Sequence, residues 1–225
     1  MALIAPCILA VDFSRLADGL EVIKAAGAAW VHVDVMDGHF VPDITVGQPV
    51  IASLRRATNL KLDVHLLIER PERYVRQFVK AGADRLSVHP ESTPQLRRVL
   101  SLIRDCGAEA GVALNPATAV ESVNDILAEI DLLTILSADP GIREQTFIPH
   151  SISKLRAGAR LKASGAGSFA LQLEGGITLD NLEELVRAGA DILVVGSAIF
   201  SSQDPGARLS EMMQLASGAR ESSIV

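Results

Sequence analysis

The chain is poor in the features that mark secreted, membrane-bound or polyanion-binding proteins. Its 225 residues contain two cysteines, Cys7 and Cys106. They form no spaced framework, so a disulfide scaffold is excluded and a reducing compartment is expected. Basic residues are in the minority, 21 Lys and Arg against 27 Asp and Glu. The resulting formal charge of -6 argues against nucleic acid or a polybasic membrane contact as a partner. No apolar run approaches the roughly 20 residues that span a bilayer. The N-terminal MALIAPCILAVDF is apolar but lacks a basic leader and contains Asp12, so it reads as a strand and not as a signal peptide. No Gly/Ser/Pro linker divides the chain; the richest candidate, Ala163–Ser168, reads as a loop. One soluble cytoplasmic domain over 1–225 is expected, with 217–225 as a frayed tail. The 48% apolar and 21% charged content suits a sizeable buried core.

What is present is a repeated grammar. AAGAAWVHVD (25–34), KAGADRLSVH (80–89), DCGAEAGVAL (105–114) and RAGADILVVG (187–196) each pass from a helix end through Gly-Ala into a short apolar run. Gly27, Gly82, Gly107 and Gly189 suit the left-handed position just past a helix. LIAPCILA (3–10), LKLDVHLL (60–67), DLLTILSA (131–138) and FALQLEGG (169–176) read as further strands. Amphipathic stretches at 14–25, 47–57, 71–81, 93–105, 118–129, 149–162, 178–188 and 204–216 read as helices. Strands alternating with helices imply a parallel sheet. Eight such units over the whole length predict a (β/α)8 barrel.

In such barrels the C-terminal strand ends carry the chemistry. The stretch VHVDVMDGHFVPD (31–43) alternates so that His32 and Asp34 share one side of a strand and Val31, Val33 and Val35 the other. The third strand closes on Asp63-Val64-His65, again a carboxylate and an imidazole on one face, and the seventh on Leu173-Glu174-Gly175-Gly176. Two histidines and two carboxylates from three strand ends would suit one divalent ion such as Zn²⁺, Fe²⁺, Mn²⁺ or Co²⁺. The competing reading of each is a buried, hydrogen-bonded polar side chain.

These residues carry a resemblance. APCILAVDF, HVDVMDGHFVP, LDVHLL, GVALNPAT, the DPG and FIP of the sixth loop, EGGIT and GADILVVGSAIF resemble the ribulose-phosphate 3-epimerase family, in order and along essentially the whole chain. HVDVMDGHFVP is highly specific, whereas the GGI and VGSAIF segments are shared with other phosphate-binding barrels. The resemblance implies one metal ion per chain on His32, Asp34, His65 and Glu174. It implies proton transfer by Asp34 and Glu174 on opposite faces of a metal-stabilised cis-enediolate. The implied substrate is a ketose phosphate, ribulose 5-phosphate and xylulose 5-phosphate by default. Cys7 and Met36 then sit against the substrate, with Gly141, Arg143, Gly175, Gly176, Gly196 and Ser197 near its phosphate. A homo-oligomer is expected. A carboxylate that both ligates and moves protons is expected to have its pKa lifted toward neutrality by enclosure.

The chain also departs from the family pattern. Glu174 replaces the usual Asp, Cys7 and Ala10 replace serines, and Leu67 and Leu136 replace methionines. For Cys7 the competing reading is a small buried hydrophobe. The loop Pro140-Gly141-Ile142-Arg143-Glu144-Gln145 lacks two glycines of a phosphate-cradling segment. Arg143 either supplies a charge there or is a solvated loop residue. Asp139-Pro140-Gly141 and His89-Pro90-Glu91 resemble the allulose-6-phosphate epimerase branch. Two further readings stand: a barrel lyase of the phosphohexulose-synthase or orotidine-phosphate decarboxylase kind, and a sugar-phosphate binding barrel without turnover. The lyase reading is disfavoured because no Lys lies at a strand C-terminus; Lys61 stands at the wrong end of its strand.

Overall fold

The computed structural model describes residues 2–142 and 146–221. Eight strands form one parallel sheet: β1 (Leu3–Pro6), β2 (Trp30–Met36), β3 (Lys61–Leu67), β4 (Arg85–Val88), β5 (Glu109–Leu114), β6 (Leu132–Leu136), β7 (Ala170–Glu174) and β8 (Ile192–Val195). From β2 to β8 neighbours in sequence are neighbours in the sheet, and β1 pairs with β8. A parallel bridge between Cys7 and His32 joins the β1 and β2 edges, so the sheet nearly closes on itself. The helices are α1 (Leu16–Ala25), α2 (Gln48–Ala57), α3 (Val75–Ala81), α4 (Leu96–Asp105), α5 (Ser151–Ala163), α6 (Leu179–Arg187), α7 (Ser197–Phe200) and α8 (Pro205–Glu221). This is the (β/α)8 barrel that the repeat grammar predicts, in a single domain.

Strand alternation divides the core in two. Val31, Val33 and Val35 of β2 pack outward with Ile23, Ile51 and Leu54 of the helices, in the large apolar shell between sheet and helices. The barrel interior holds a much smaller apolar cluster, including Ala5, Trp30, Ile192 and Val194. It also buries His32, Asp63, His65, Arg85, Ser87, Thr134 and Gln172. At the N-terminal end the Arg85 guanidinium lies 4.0 Å over the Trp30 ring and donates to Glu109 at 2.8 Å, which plugs the barrel floor. The polar interior that remains opens toward the strand C-termini.

Three boundaries differ from expectation. The helix expected over 118–129 is a run of 3-10 turns, Val120–Glu129. Its buried Val120 and Val123 are three residues apart, the spacing at which 3-10 side chains eclipse, and Ser122, Asn124 and Asp125 are weak helix formers. The first strand stops at Pro6, and Ile8–Ala10 turn over the barrel rim toward α1. The last helix extends past 217: α8 runs to Glu221, with Ala219 buried against the core, and 222–225 of the expected tail lie outside the described residues. No helix among the described residues is long and apolar enough to cross a membrane.

Candidate active site

The register of two strands assembles most of the site. Parallel pairing of β2 with β3 sets Asp34 opposite His65 and His32 opposite Asp63. Since residues two apart share a face, all four side chains enter the barrel interior. Glu174, the last residue of β7, reaches the same spot. His65 Nδ1 lies 3.1 Å from Asp34 Oδ1 and 3.2 Å from Glu174 Oε2. His32 Nε2 lies 3.1 Å from Asp34 Oδ1 and 3.5 Å from Glu174 Oε2. All four residues are buried.

The electrostatics pull the two carboxyl groups apart. Burial works to raise Asp34, but His32 and His65 outweigh it and hold its pKa well below the usual carboxylate range. Burial, reinforced by the Asp34 charge, lifts Glu174 above its ordinary value in spite of the two imidazoles. For both histidines burial opposes the charged form, and Glu174 and Asp34 win. His32 is raised well above its ordinary value, and His65 to about 9. The expectation that both carboxylates rise together therefore holds for Glu174 and is corrected for Asp34, whose imidazole neighbours overcome its burial. The Cys7 thiol donates to Asp34 Oδ2 at 3.3 Å, and burial with the Asp34 charge raises its pKa, so it stays a thiol.

Each histidine is also held from behind. His32 Nδ1 contacts Asp63 Oδ2 at 2.9 Å, which leaves Nε2 facing the cluster. His65 Nε2 contacts His89 Nε2 at 2.8 Å, which leaves Nδ1 facing it. Asp63 was legible in the sequence as sharing a face with His65 but had no role there. In the sequence His89 stands out only as part of a family-like tripeptide. Thr45, which no sequence signal marks, accepts from the Met36 amide at 2.9 Å and donates to the Asp34 carbonyl at 2.8 Å, pinning the loop after β2.

The four predicted ligands fit a divalent cation. One donor atom from each lies within 4.8 Å of the others. The set of two imidazole nitrogens and two carboxylates suits Zn²⁺ and its neighbours. Glu174 Oε2 is buried without a well-aligned hydrogen-bond donor, so the cluster has lone pairs to give. Such outer-shell support of ligating histidines is a regular feature of metal sites.

Above the cluster lies a cavity of about 810 Å³ at the strand C-termini. Of the residues expected at substrate, Cys7, Met36, Gly141, Gly175, Gly176, Gly196 and Ser197 line it, as do Asp34 and Glu174. Arg143 lies outside the described residues, together with Glu144 and Gln145. Leu67 and Leu136 are buried, and neither is among the lining residues. Gly175 and Gly176 have φ of +111° and +62°, left-handed values that end β7. A Cβ on Gly176 would stand 2.9 Å from the Phe147 backbone, so only glycine lets the two loops close together. His39 is exposed, with its ring against the Asp37 carbonyl.

A parallel (β/α)8 barrel with two histidines and two carboxylates buried beneath a cavity at its C-terminal mouth is the architecture of a barrel enzyme. The sequence model described as the ribulose-phosphate 3 epimerase family matches residues 3–200. The chain is 42% identical over 217 residues to ribulose-phosphate 3-epimerase from Mycobacterium bovis, covering 96% of this chain and 94% of that one. It is 39% identical over 213 residues to the Bacillus subtilis protein of the same name, covering 94% and 98%. The chain belongs to the ribulose-phosphate 3-epimerase family. Among solved structures, orotidine 5'-phosphate decarboxylase from Pyrococcus horikoshii superposes with a TM-score of 0.71 at 16% identity, covering 96% of this chain and 100% of that one. That likeness is one of fold.

Proposed function

We propose that this enzyme inverts C3 of a ketose phosphate, interconverting ribulose 5-phosphate and xylulose 5-phosphate. The observation that carries the reading is the pair of buried carboxyl groups, Asp34 and Glu174, which converge on His65 Nδ1 at 3.1 and 3.2 Å and both line the cavity at the strand C-termini; the imidazoles pull Asp34 down while burial pushes Glu174 up. Inversion through a planar intermediate needs an acceptor on one face and a donor on the other, and pKa values driven apart are how one site supplies both.

In one direction Asp34, held as carboxylate, takes the proton from C3 and leaves a cis-enediolate. Glu174, whose pKa burial and the Asp34 charge raise, enters this direction of the reaction with a proton and returns it to the opposite face of C3. The product leaves with Asp34 protonated and Glu174 ionised, the state from which the reverse reaction starts. His32 Nε2 and His65 Nδ1 both face Asp34 Oδ1, so the three donor atoms point to one spot. Met36 and Cys7 wall the cavity beside Asp34 and limit water at the reacting carbon. A divalent cation on His32, Asp34, His65 and Glu174 would supply Lewis-acid stabilisation of the charge that develops on the substrate oxygens.

Gly175-Gly176 after β7 and Gly196-Ser197 after β8 line the cavity, and their backbone amides would hold the phosphate, in line with the phosphate loops of other barrels. The test is solvent-deuterium exchange at C3 with ribulose 5-phosphate, alongside metal content of the purified protein. Incorporation of one deuteron per turnover at C3 supports the reading. Substrate that returns unexchanged and unepimerised overturns it in favour of a binding barrel. A panel of four- to six-carbon ketose phosphates, allulose 6-phosphate included, then ranks the substrates.

A further inference from the structure

The two histidines of the cluster are supported in different ways. Behind His32 stands a carboxylate, Asp63. Behind His65 stands a second imidazole, that of His89, and behind it the carboxylate of Glu91, with Nδ1 of His89 3.4 Å from Glu91 Oε2, an ion-pair distance without hydrogen-bond alignment that still makes this carboxylate the charge Nδ1 faces. The His65 and His89 rings are inclined by 23° with centroids 4.9 Å apart. With their Nε2 atoms 2.8 Å apart, the two nitrogens lie nearly on the line between ring centres. The rings therefore meet edge to edge across one hydrogen bond.

One hydrogen bond needs one proton. We propose that Glu91 and His89 are positioning residues that lock the His65 proton on Nε2, so that Nδ1 presents its lone pair to the metal cluster. A carboxylate accepts hydrogen bonds and donates none, so the proton of a neutral His89 belongs on Nδ1, facing Glu91. Nε2 of His89 is then an acceptor, and only Nε2–H of His65 can fill it. The opposite arrangement, His89 Nε2–H donating to His65 Nε2 across the same 2.8 Å, would turn the Nδ1 lone pair of His89 on the Glu91 carboxylate and move the His65 proton to Nδ1, the nitrogen that faces the cluster. Both histidines are fully buried, so water offers neither a substitute partner.

Glu91 is anchored for this task. Its Oε1 accepts from the Thr118 hydroxyl and from the Asn115 amide at 3.4 Å, leaving Oε2 for His89. The loop that provides these donors is tied down by Lys154, whose Nζ donates to the carbonyls of Asn115 at 2.8 Å and Pro116 at 3.2 Å. Pro90 opens the 3-10 turn Pro90–Ser92 that places Glu91 beside the His89 ring, and the Phe40 ring packs against that ring at 4.9 Å. The relay thus runs from the β5 loop through the end of β4 to a ligand on β3, and its purpose rests on the metal reading proposed above.

The test is long-range ¹H–¹⁵N correlation NMR on protein labelled with ¹⁵N-histidine, in the metal-stripped and Zn²⁺-loaded forms, with Zn²⁺ affinity measured by chelator competition. Wild-type protein should show His89 as the Nδ1–H tautomer in both forms. Glu91→Ala should lose that tautomer preference and weaken Zn²⁺ binding about 10–100-fold, the usual cost of an outer-shell partner, with an unchanged circular-dichroism spectrum. Glu91→Gln keeps an acceptor and should recover most of the affinity, which a merely structural role would not predict. An Nε2–H tautomer of His89 in wild type overturns the relay, as does Glu91→Ala binding Zn²⁺ within twofold of wild type. Failure of wild type to bind Zn²⁺, Mn²⁺ or Co²⁺ at all overturns the metal reading instead, while the His89 tautomer still decides the relay.

Discussion

Asp34 and Glu174 both reach Nδ1 of His65, at 3.1 and 3.2 Å, from strands that are not neighbours in the sheet. One imidazole nitrogen is thereby shared by the two groups proposed to move protons. Charge balance and catalysis in this site are a single problem, and several outcomes follow from it.

His65→Ala removes a ligand and the contact between the two carboxyl groups. The variant should lose its divalent ion on dialysis against a mild chelator, and exchange at C3 should drop by more than the ~100-fold that loss of an outer-shell partner can cost. The helix shell does not depend on His65, so the circular-dichroism spectrum should be retained. Full activity in a metal-free preparation would refute the metal reading.

Asp34→Asn and Glu174→Gln should differ in character. The amide at position 34 can neither accept the C3 proton nor keep the ligand charge, so epimerisation should fall below a few per cent of wild type. The Glu174→Gln protein retains Asp34 as an acceptor on one face. It should still wash a proton out of one epimer into solvent while failing to convert it to the other. Equal exchange and epimerisation rates in that variant would show that Glu174 is not the second acid.

Metal uptake should depend on pH in a defined direction. Without an ion, His65 titrates near 9, because Glu174 and Asp34 outweigh its burial. A ligand nitrogen must shed its proton, so Zn²⁺ affinity should rise as pH climbs toward 9, with proton release visible by calorimetry in buffers of different ionisation enthalpy. The same shift sets the stability of metal-stripped protein. A folded pKa raised above the ordinary 6.5 contributes stability in full below 6.5, and that contribution is lost as pH rises through about 9. Its melting temperature should therefore decline across that window, and the Zn²⁺-loaded protein should show a flatter profile.

The sixth loop should tune phosphate affinity. Gly141 packs tightly on Val41 and Pro42, where an added Cβ would stand 2.7 Å from a Val41 carbon, so the loop entrance is held close over the cavity. Replacing Ile142-Arg143-Glu144 with Phe-Gly-Gly restores two glycines whose amides can approach a phosphate. The kcat/KM for ribulose 5-phosphate should rise. A fall on the best ketose of the panel would mean that Arg143 or Glu144 reads a different substrate. Equal turnover of unphosphorylated ketoses would refute the phosphate reading.

Local periodicity already contained the barrel and part of the site. The alternation of Val31, Val33 and Val35 with His32 and Asp34 commits those polar residues to one side, since successive strand side chains cannot share a face. The same rule pairs Asp63 with His65, and the Gly-Ala helix ends mark where each strand begins. What periodicity lacks is any statement of which strands touch. The register that puts Asp34 opposite His65 is a long-range pairing, set by backbone hydrogen bonds and the fit of the valine faces against the helices. Convergence of Glu174 on that pair depends on the closure of the barrel. The opposite proton affinities of Asp34 and Glu174 depend on distances to two imidazoles, which no residue spacing along the chain encodes. The His65–His89–Glu91 chain lies across three elements for the same reason: a proton's position on an imidazole is decided by what faces the other nitrogen, and only the tertiary structure brings that partner there.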